Sequence, residues 1–215
     1  MIYVILTAAG MGTRFNSELP KQFIKINDQE LLKYTIDRFD SYKIYIGLSK
    51  EYFDYFDDDR IIKYIGGSTG CETIKLGLNK IYSDNNITDD DIVIISDGNR
   101  PLVSKRIIDE EIQFILNNPD SIVCPYLESF GLISSDGYKL IDRNSIHQVQ
   151  MPCCCNLKLI HSFYNRIETF NYNNPMEVWL NYKSHIDFIK GDYVNIKITY
   201  REDLSLFNIL RGYNL

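Results

Sequence analysis

The chain begins with a short apolar run that leads directly into a glycine-rich loop. Residues 1–6 are apolar and rich in β-branched and aromatic side chains, a pattern typical of a buried parallel strand. The loop at residues 7–14, Thr-Ala-Ala-Gly-Met-Gly-Thr-Arg, follows without a break, and Pro20-Lys21-Gln22 comes soon after it. The loop is therefore expected at the carboxyl end of a strand, where open α/β sheets bind their ligands.

Two glycines and two cations give this loop the chemistry of an anion site. Gly10 and Gly12 let backbone N–H groups approach phosphate oxygens, and Arg14 and Lys21 supply positive charge. The spacing is not that of a Walker loop, and Gly-x-Gly alone is found in many ordinary turns. A structural turn does not require two cations, so the combination favours a site for a nucleoside triphosphate.

Alternating strand and helix patterns predict a doubly wound α/β fold with a mostly parallel sheet. Strands are predicted near residues 1–6, 43–48, 61–65, 92–96 and 121–127. One helix is predicted to cover the sheet with Cys71, Ile74, Leu78 and Ile81. A second, over residues 105–117, is predicted to bury Ile107, Ile108, Ile112, Ile115 and Leu116. The last helix is predicted to begin at a capping box of Thr199 and Glu202.

Residues from about 126 to 149 break the alternation. Ser134-Ser135-Asp136-Gly137 has the composition of a hairpin turn between two apolar runs. The length of 215 residues and 45% hydrophobic content predict one domain over residues 1–215, with this hairpin as an arm. The residues alone leave an ordinary edge hairpin and an arm that docks on a partner equally open.

Composition argues against nucleic acids and membranes as partners of this protein. A net charge of −6 argues against broad nucleic-acid binding, which needs basic surfaces. No apolar run reaches the roughly 20 residues of a membrane span, and the N-terminus lacks the basic region and cleavage site of a signal peptide. We therefore expect a cytoplasmic protein with neither a membrane nor a nucleic-acid partner.

Three of the five cysteines are consecutive, at positions 153–155. Adjacent cysteines do not converge on one metal ion, because zinc ligands need intervening residues. On a strand they point to alternate faces, and cytosolic thiols stay reduced. We therefore expect them to be reduced, buried small side chains, with a redox role unsupported.

The pattern Ala-Ala-Gly-x-Gly-x-Arg followed by Pro-Lys-Gln resembles the nucleotidyltransferases, most closely the methylerythritol phosphate and ribitol phosphate cytidylyltransferases. Four later segments match in order and extend the resemblance over nearly the whole chain: Gly66-Gly67 with Thr73-Ile74 and Gly77-Leu78, Asp97 with Arg100-Pro101, Asp142-Arg143-Asn144, and 195–199 with Glu202-Asp203-Leu204. The resemblance implies the Rossmann-like nucleotidyltransferase fold. It also implies transfer of CMP from CTP to a small phosphorylated alcohol, with release of pyrophosphate.

The resemblance assigns catalytic roles to three cations. Arg14 and Lys21 would stabilise the triphosphate, and Lys197 would act between the α-phosphate and the acceptor. Lys197 also stands out in the sequence, because residues 194–199 are otherwise of β type and packing there would favour an apolar side chain. The residues implied to bind the nucleotide are Ala8, Ala9, Gly10, Gly12, Thr13, Gly67, Thr73 and Asp97.

Asp97 ends an apolar strand, where a carboxylate can hold a ribose hydroxyl or a metal ion. Mg²⁺ is expected, held mainly by triphosphate oxygens, with Asp97 as its protein ligand. The residues implied to bind the acceptor are Arg100, Ser129, Arg143 and Glu177. In the resembled family the arm reaches a second subunit, which implies a homodimer in which Arg143 clamps a phosphate on the neighbouring subunit.

The departures from the family pattern concentrate around the acceptor. Gly70 replaces an expected arginine, Met151-Pro152-Cys153 replaces Thr-Pro-Gln, Pro175-Met176-Glu177 replaces Thr-Asp-Asp/Glu, and Glu128-Ser129-Phe130-Gly131 replaces Asp-Thr-x-Lys. We therefore favour a polyol or sugar-alcohol phosphate over methylerythritol phosphate as the acceptor, with surface polysaccharide synthesis as the context. Two alternatives stay open: a methylerythritol phosphate cytidylyltransferase with an altered pocket, and a nucleotide-binding protein without turnover.

Overall fold

The computed structural model describes residues 1–170, 172, 174–182 and 185–212. Its strands are β1 (Ile2–Ala8), β2 (Lys25–Ile26), β3 (Gln29–Glu30), β4 (Lys43–Leu48), β5 (Ile61–Ile65), β6 (Ile92–Asp97), β7 (Ile122–Glu128), β8 (Leu132–Ile133), β9 (Leu140–Ile141), β10 (His147–Val149), β11 (Cys153–Asn156) and β12 (Asp187–Lys190). Its α-helices are α1 (Leu31–Ile36), α2 (Gly70–Asp84), α3 (Lys105–Asn117), α4 (Leu157–Asn165), α5 (Pro175–Tyr182) and α6 (Glu202–Leu210).

The main sheet has eight strands in the order β10-β7-β11-β6-β1-β4-β5, and β12 pairs with β7. β1 lies between β6 and β4, and these strands and β5 are parallel. β11 runs antiparallel between β6 and β7. The five predicted strands are confirmed within two residues at each end, as is the predicted α/β class with a mostly parallel sheet. β11 was not predicted, because its four residues, Cys-Cys-Cys-Asn, carry no strand pattern strong enough to detect.

Alternate residues of each strand face two separate apolar layers, as the period of two requires. Tyr3 and Ile5 of β1 pack in the layer that contains the apolar faces of α2, α4 and α5. Val4 and Leu6 pack in the opposite layer with α1 and α3. The predicted buried faces of α2 and α3 are confirmed except at Leu116, which is 57% exposed. Leu116 lies one residue past the buried Ile115 and is turned away from the sheet at the end of α3.

The segment before α6 differs from the predicted one in two ways. Residues 194–199 form no strand. The backbone N–H of Ile198 donates to the carbonyl of Asn99 in the loop after β6, and the Ile198 carbonyl accepts from the Asn99 side-chain amide, so neither group joins the sheet. The predicted capping box is also wrong. The Asp203 carboxylate accepts from the backbone N–H groups of Thr199 and Tyr200, while the Thr199 hydroxyl donates to the carbonyl of Lys197.

Cys153 of β11 is not the reduced thiol that the sequence predicted, because it forms a disulfide with Cys124 of β7. The antiparallel register pairs Cys154 with Val123 and therefore sets Cys153 opposite Cys124, with 4.5 Å between their Cα atoms. Cys71, Cys154 and Cys155 are free and buried. The alternation of faces is confirmed, since Cys153 and Cys155 lie in one apolar layer and Cys154 lies in the other.

The hairpin predicted within residues 126–149 is formed by β8 and β9, which make a two-stranded sheet of their own. Ser134 closes the turn, since its backbone N–H donates to the carbonyl of Lys139 and its hydroxyl donates to Asp136. Large apolar side chains of this arm lie in solvent, each more than 60% exposed: Phe130, Ile133, Tyr138 and Leu140. Among the helices described, none is both long enough and apolar enough to span a membrane.

Glu111 of α3 is fully buried, and neither carboxylate oxygen has a hydrogen-bond partner among the described residues. Burial raises the pKa of Glu111 well above its usual value. The unfolded chain therefore ionises at a lower pH than the folded one, so this group's contribution to stability falls as the pH rises above the usual glutamate value.

We predict that Glu111→Leu raises the free energy of unfolding at neutral pH by at least ~2 kcal/mol, because it removes an unpartnered polar group from the core. One such group lowers the free energy of unfolding by about 1.4 kcal/mol for each pH unit above the usual glutamate pKa. Glu111→Leu should remove this contribution to the pH dependence. Urea unfolding across pH values measures both effects. Glu110→Leu, at the neighbouring surface position paired with Arg106, is the control and should change stability little. A destabilised Glu111→Leu variant would contradict this account.

Candidate active site

A cleft of about 290 Å³ opens at the carboxyl ends of β1 and β6. Its walls come from the loop after β1, the loop between β5 and α2, the loop after β6 and the segment before α6. The residues lining it are Thr7, Ala8, Ala9, Gly10, Gly12, Thr13, Arg14, Lys21, Gln22, Gly67, Ser68, Thr69, Gly70, Thr73, Asp97, Gly98, Asn99, Lys197 and Thr199. Every residue predicted to be catalytic or to bind the nucleotide lies in this lining.

Gln22 holds the glycine-rich loop in place. Its side chain is buried, and its Nε2 donates to the carbonyls of Ala8 at 2.7 Å and Gly10 at 3.1 Å. These two bonds tie the glycine-rich loop to the turn that carries Lys21. Gly12 adopts a φ of +65°, and a Cβ there would lie 3.3 Å from the Lys21 side chain. Glycine at position 12 therefore allows both the left-handed turn and the approach of Lys21.

Thr73, near the start of α2, fixes the opposite wall. Its hydroxyl donates to the carbonyl of Thr69 at 2.9 Å and accepts from the backbone N–H of Gly67 at 3.1 Å. Gly66 brings this wall against the first loop, since a Cβ there would lie 2.6 Å from the Cβ of Ala9. The two loops therefore form one slot lined mainly by backbone and small side chains.

Asp97, at the end of β6, joins two cations in the floor of the cleft. Its Oδ2 lies 2.9 Å from Arg100 Nε, and its Oδ1 lies 2.8 Å from Lys197 Nζ. Burial alone would raise the pKa of Asp97, but these two cations hold that pKa at about 2. The cluster therefore carries a permanently ionised carboxylate between two positive charges.

The loop after β6 positions Lys197. Asn99 is buried; its Nδ2 donates to the carbonyl of Ile198, and its own carbonyl accepts from the backbone N–H of Ile198. Asn195, on the other side of Lys197, donates to the carbonyl of Met151 at 2.8 Å. Lys197 is therefore held between two anchored residues although its segment belongs to no strand.

The surroundings of Lys21 disfavour the charged form of its side chain. Lys21 lies in a short 3₁₀ turn, Lys21–Phe23, and is partly buried. Burial, together with the nearby charges of Lys197 and Arg14, lowers the pKa of Lys21 to about 8 against the opposing effects of Asp97 and Asp203. The cleft holds several cations close together although they repel one another, and such a site is complementary to a polyanion.

The predicted acceptor residues are spread over three places. Arg100 lines a second cleft of about 230 Å³ that shares Thr7, Gly70, Asp97 and Lys197 with the first. Ser129 and Arg143 instead line a separate cleft of about 320 Å³ in the arm. Glu177 is exposed on α5 and lines none of these three clefts. Within one chain, therefore, only Arg100 of the predicted acceptor residues joins the Asp97 cluster.

Gln22 and Asn99 were not predicted as site residues, although both lie within the motifs that carry the resemblance. Gln22 ends the Pro-Lys-Gln motif and directly follows the predicted catalytic Lys21, which is a usable signal. Asn99 replaces a small apolar residue of the resembled pattern, and no local signal indicates that its amide reaches a segment 99 residues later.

A glycine-rich loop at the carboxyl edge of parallel strands, facing a cluster of lysine and arginine, defines an α/β nucleotidyltransferase. A family model described as IspD, 2-C-methyl-D-erythritol 4-phosphate cytidylyltransferase, matches residues 2–211. The chain belongs to this family, as the resemblance predicted.

Relatives within the family carry two different names. The chain is 33% identical over 222 residues to the 2-C-methyl-D-erythritol 4-phosphate cytidylyltransferase of Clostridioides difficile, covering 96% of this chain and 92% of that protein. It is 28% identical over 229 residues to the ribitol-5-phosphate cytidylyltransferase of Lactiplantibacillus plantarum, covering 98% of each. It is 29% identical to the bifunctional enzyme IspD/IspF of Wolbachia pipientis, of which it spans only 55%.

Solved structures match the fold throughout. The IspD enzyme of Francisella tularensis superposes with a TM-score of 0.81 at 22% identity, covering 97% of this chain and 99% of that one. The bifunctional IspDF of Campylobacter jejuni gives a TM-score of 0.79 at 27% identity, covering 95% of this chain and 53% of that one. The predicted nucleotidyltransferase fold is confirmed.

Proposed function

We propose that this protein transfers CMP from CTP to a small phosphorylated alcohol, giving a CDP-alcohol and pyrophosphate. The observation that carries the proposal is the Asp97, Arg100 and Lys197 cluster at the border between two adjoining clefts. One cleft has the glycine-rich loop and suits a triphosphate, and the other is open for an acceptor. Family membership supports the same reaction.

The slot between the two loops favours cytosine over uracil. The Thr73 hydroxyl already donates its hydrogen to Thr69, and one of its lone pairs accepts from Gly67. Only acceptor capacity remains on that oxygen. Cytosine offers an amino group at the edge where uracil has a carbonyl, so Thr73 would accept from cytosine and face uracil with an unpaired acceptor.

In the proposed reaction an oxygen of the acceptor phosphate attacks the α-phosphorus of CTP. A new phosphorus–oxygen bond forms as the bond from the α-phosphorus to the bridging oxygen breaks, and pyrophosphate leaves with that electron pair. Arg14 and Lys21 would offset charge on the departing pyrophosphate, and Lys197 would offset charge that develops at the α-phosphate. Backbone groups of the glycine-rich loop would fix the triphosphate so that attack is in line.

Asp97 fits a role in holding Mg²⁺. Within the described part of the chain no group of three or more His, Cys, Asp or Glu side chains is arranged to hold a metal, and Asp97 is the carboxylate lining the cleft. Each Asp97 oxygen keeps a lone pair beside its bond to a cation, and one carboxylate suffices when phosphate oxygens supply most ligands. Bound Mg²⁺ would neutralise charge on the triphosphate.

We further propose a cytoplasmic homodimer formed through the arm. Ser129 and Arg143 lie away from the Asp97 cluster of their own chain, and the arm exposes large apolar side chains. Docking on a second copy would bury that apolar surface and allow Arg143 to reach the partner's acceptor cleft. The ribitol-5-phosphate cytidylyltransferase relative supports a phosphorylated polyol as the acceptor, and we propose surface polysaccharide synthesis as the context.

Two other candidates have specific support. The matching family model is named for methylerythritol phosphate, which keeps that acceptor as an alternative that complementation of a strain lacking the step would reveal. Gly70, which stands where the family pattern has arginine, supports a nucleotide-binding protein without turnover. The cluster around Asp97 argues against the latter, because nucleotide binding alone does not require a third cation, Lys197, beyond the loop.

Pyrophosphate release tests the proposal. The assay supplies Mg²⁺ and CTP with a panel of methylerythritol, ribitol, glycerol and simpler alcohol phosphates, and repeats each with UTP, ATP and GTP. We expect release that depends on both CTP and one class of acceptor. Equal release with all four nucleotides, or none with any acceptor, would contradict the proposal.

Gly70→Arg is predicted to tighten the binding of CTP. A Cβ at Gly70 would meet no atom within 4 Å among the described residues, so the position has room for a side chain in the shared lining of the two clefts. One charge-assisted bond to a phosphate should lower the KM for CTP by about tenfold. Gly70→Ala, which adds a Cβ without a cation, is the matched control. If both variants changed KM equally, the added cation would not be the cause.

A further inference from the structure

The second cleft differs in chemistry from the first. Away from the shared border its lining consists mainly of apolar side chains from four separate segments: Ile74 of α2, Ile95 of β6, Val149 and Met151 around the end of β10, and Pro175 and Met176 of α5. Val149, Met151 and Met176 are partly exposed and pack on the main apolar layer. They therefore present carbon surface to whatever enters the cleft.

The described lining of the second cleft contains few polar side chains, and most of them already form hydrogen bonds within the protein. Arg100 donates to Asp97 and to the carbonyl of Asn195, and Lys197 donates to Asp97. The Oδ1 of Asn174 accepts from the backbone N–H of Met176 and keeps one further lone pair beside the amide N–H groups. The described lining therefore offers two cations, Arg100 and Lys197, to a phosphate, but it supplies few partners for hydroxyl groups beyond it.

We infer that the second cleft selects acceptors whose carbon body is sparsely hydroxylated, a phosphomonoester rich in methyl or methylene groups. This inference rests on the proposed function, since it takes the second cleft as the acceptor site, and it replaces the polyol named there as acceptor by a less hydroxylated alcohol phosphate. A polyol phosphate of the same length would bury hydroxyls against Val149, Met151 and Met176 without hydrogen-bond partners. An apolar pocket disfavours each added hydroxyl by up to about 100-fold.

The sequence departures fall at these positions. Met151 stands where the family pattern has the threonine of Thr-Pro-Gln, and Met176 stands where it has an aspartate. Both changes replace hydrogen-bonding side chains by flexible apolar ones, and both residues line the cleft. Met151 and Met176 therefore place two apolar side chains in the lining of one cavity.

Direct binding tests the inference without turnover. Calorimetry would measure n-butyl phosphate and erythritol 4-phosphate, two four-carbon esters that differ in hydroxyl content, with the α,β-methylene analogue of CTP and Mg²⁺ present and absent. We expect n-butyl phosphate to bind at least tenfold more tightly. Equal or tighter binding of erythritol 4-phosphate, or no binding of either ester, would overturn the inference.

A double variant identifies the side chains responsible. Met151→Thr with Met176→Asn restores hydrogen-bonding groups and should reduce the preference for n-butyl phosphate at least tenfold, whereas Met151→Leu with Met176→Leu should keep it. An unchanged preference in the first variant would overturn the assignment to these residues. The proposed function and this inference can fail independently, because calorimetry measures the binding preference even if no pyrophosphate is released.

Discussion

Replacing Lys197 by alanine is expected to lower kcat for CMP transfer by about 10²- to 10³-fold, because it removes a fixed cation from the place where charge develops. Lys197 lies at the border of the two clefts, 2.8 Å from Asp97, and is held there by Asn99 and Asn195 on either side. A cation that acts mainly in the transition state affects kcat more than KM. Steady-state kinetics with CTP and the best acceptor measures the change.

Lys190→Ala is the matched control for this experiment, since Lys190 is an exposed lysine of β12 that lines none of the clefts containing Asp97. It should retain the activity of the unaltered protein. If Lys197→Ala transferred CMP as fast as this control, the assignment of Lys197 to the reaction would be wrong.

Replacing Lys21 by methionine should lower kcat/KM for CTP by a similar factor of about 10²-fold or more, because its charge faces the triphosphate from a partly buried position. The same change should raise the melting temperature of the free protein. Burial and the neighbouring cations Lys197 and Arg14 lower the pKa of Lys21 to about 8, so the charged form is strained without a ligand. Removing the charge relieves that strain.

The pKa of Lys21 also sets a pH dependence. Below pH 8 the folded protein keeps Lys21 charged, and above it the proton is lost, so kcat/KM for CTP should fall as the pH rises through about 8. A bound triphosphate favours the charged form, so kcat should fall only at higher pH. Because the unfolded chain holds this proton up to about 10.4, this group makes stability rise between about pH 8 and 10.4.

Lys25→Met, at an exposed position of β2, is the control for both measurements. It should change neither the melting temperature nor the pH profile. A Lys21→Met variant that melts lower than the unaltered protein and keeps its kcat/KM would show that Lys21 is a structural surface cation.

The nucleotide cleft was predictable because its parts follow strands that the sequence displays clearly. β1 leads into the glycine-rich loop, and β6 ends at Asp97; neighbouring parallel strands bring their carboxyl ends together. Lys197 was predicted from a motif and from a charge in an apolar run. Lys197 does line the cleft, as predicted, but residues 194–199 do not form the predicted strand.

Other features depend on pairings that no local pattern shows. The disulfide exists because β11 inserts antiparallel between β6 and β7, which sets Cys153 opposite Cys124. The same insertion brings Met151 to the second cleft, where it meets residues from α2, β6 and α5. The apolar lining of the second cleft therefore could not be predicted from any single segment of the sequence.

The most direct test of the central claim follows the α-phosphate. The protein is incubated with Mg²⁺, CTP labelled at the α-phosphate and the acceptor panel, and the products are treated with phosphatase and separated. We expect label to appear in a phosphatase-resistant CDP-alcohol while the released pyrophosphate stays unlabelled, and we expect Lys197→Ala to form this product at least about 100-fold more slowly. Label that stays in CTP with every acceptor, or that appears equally fast with Lys197→Ala, would contradict the proposed reaction.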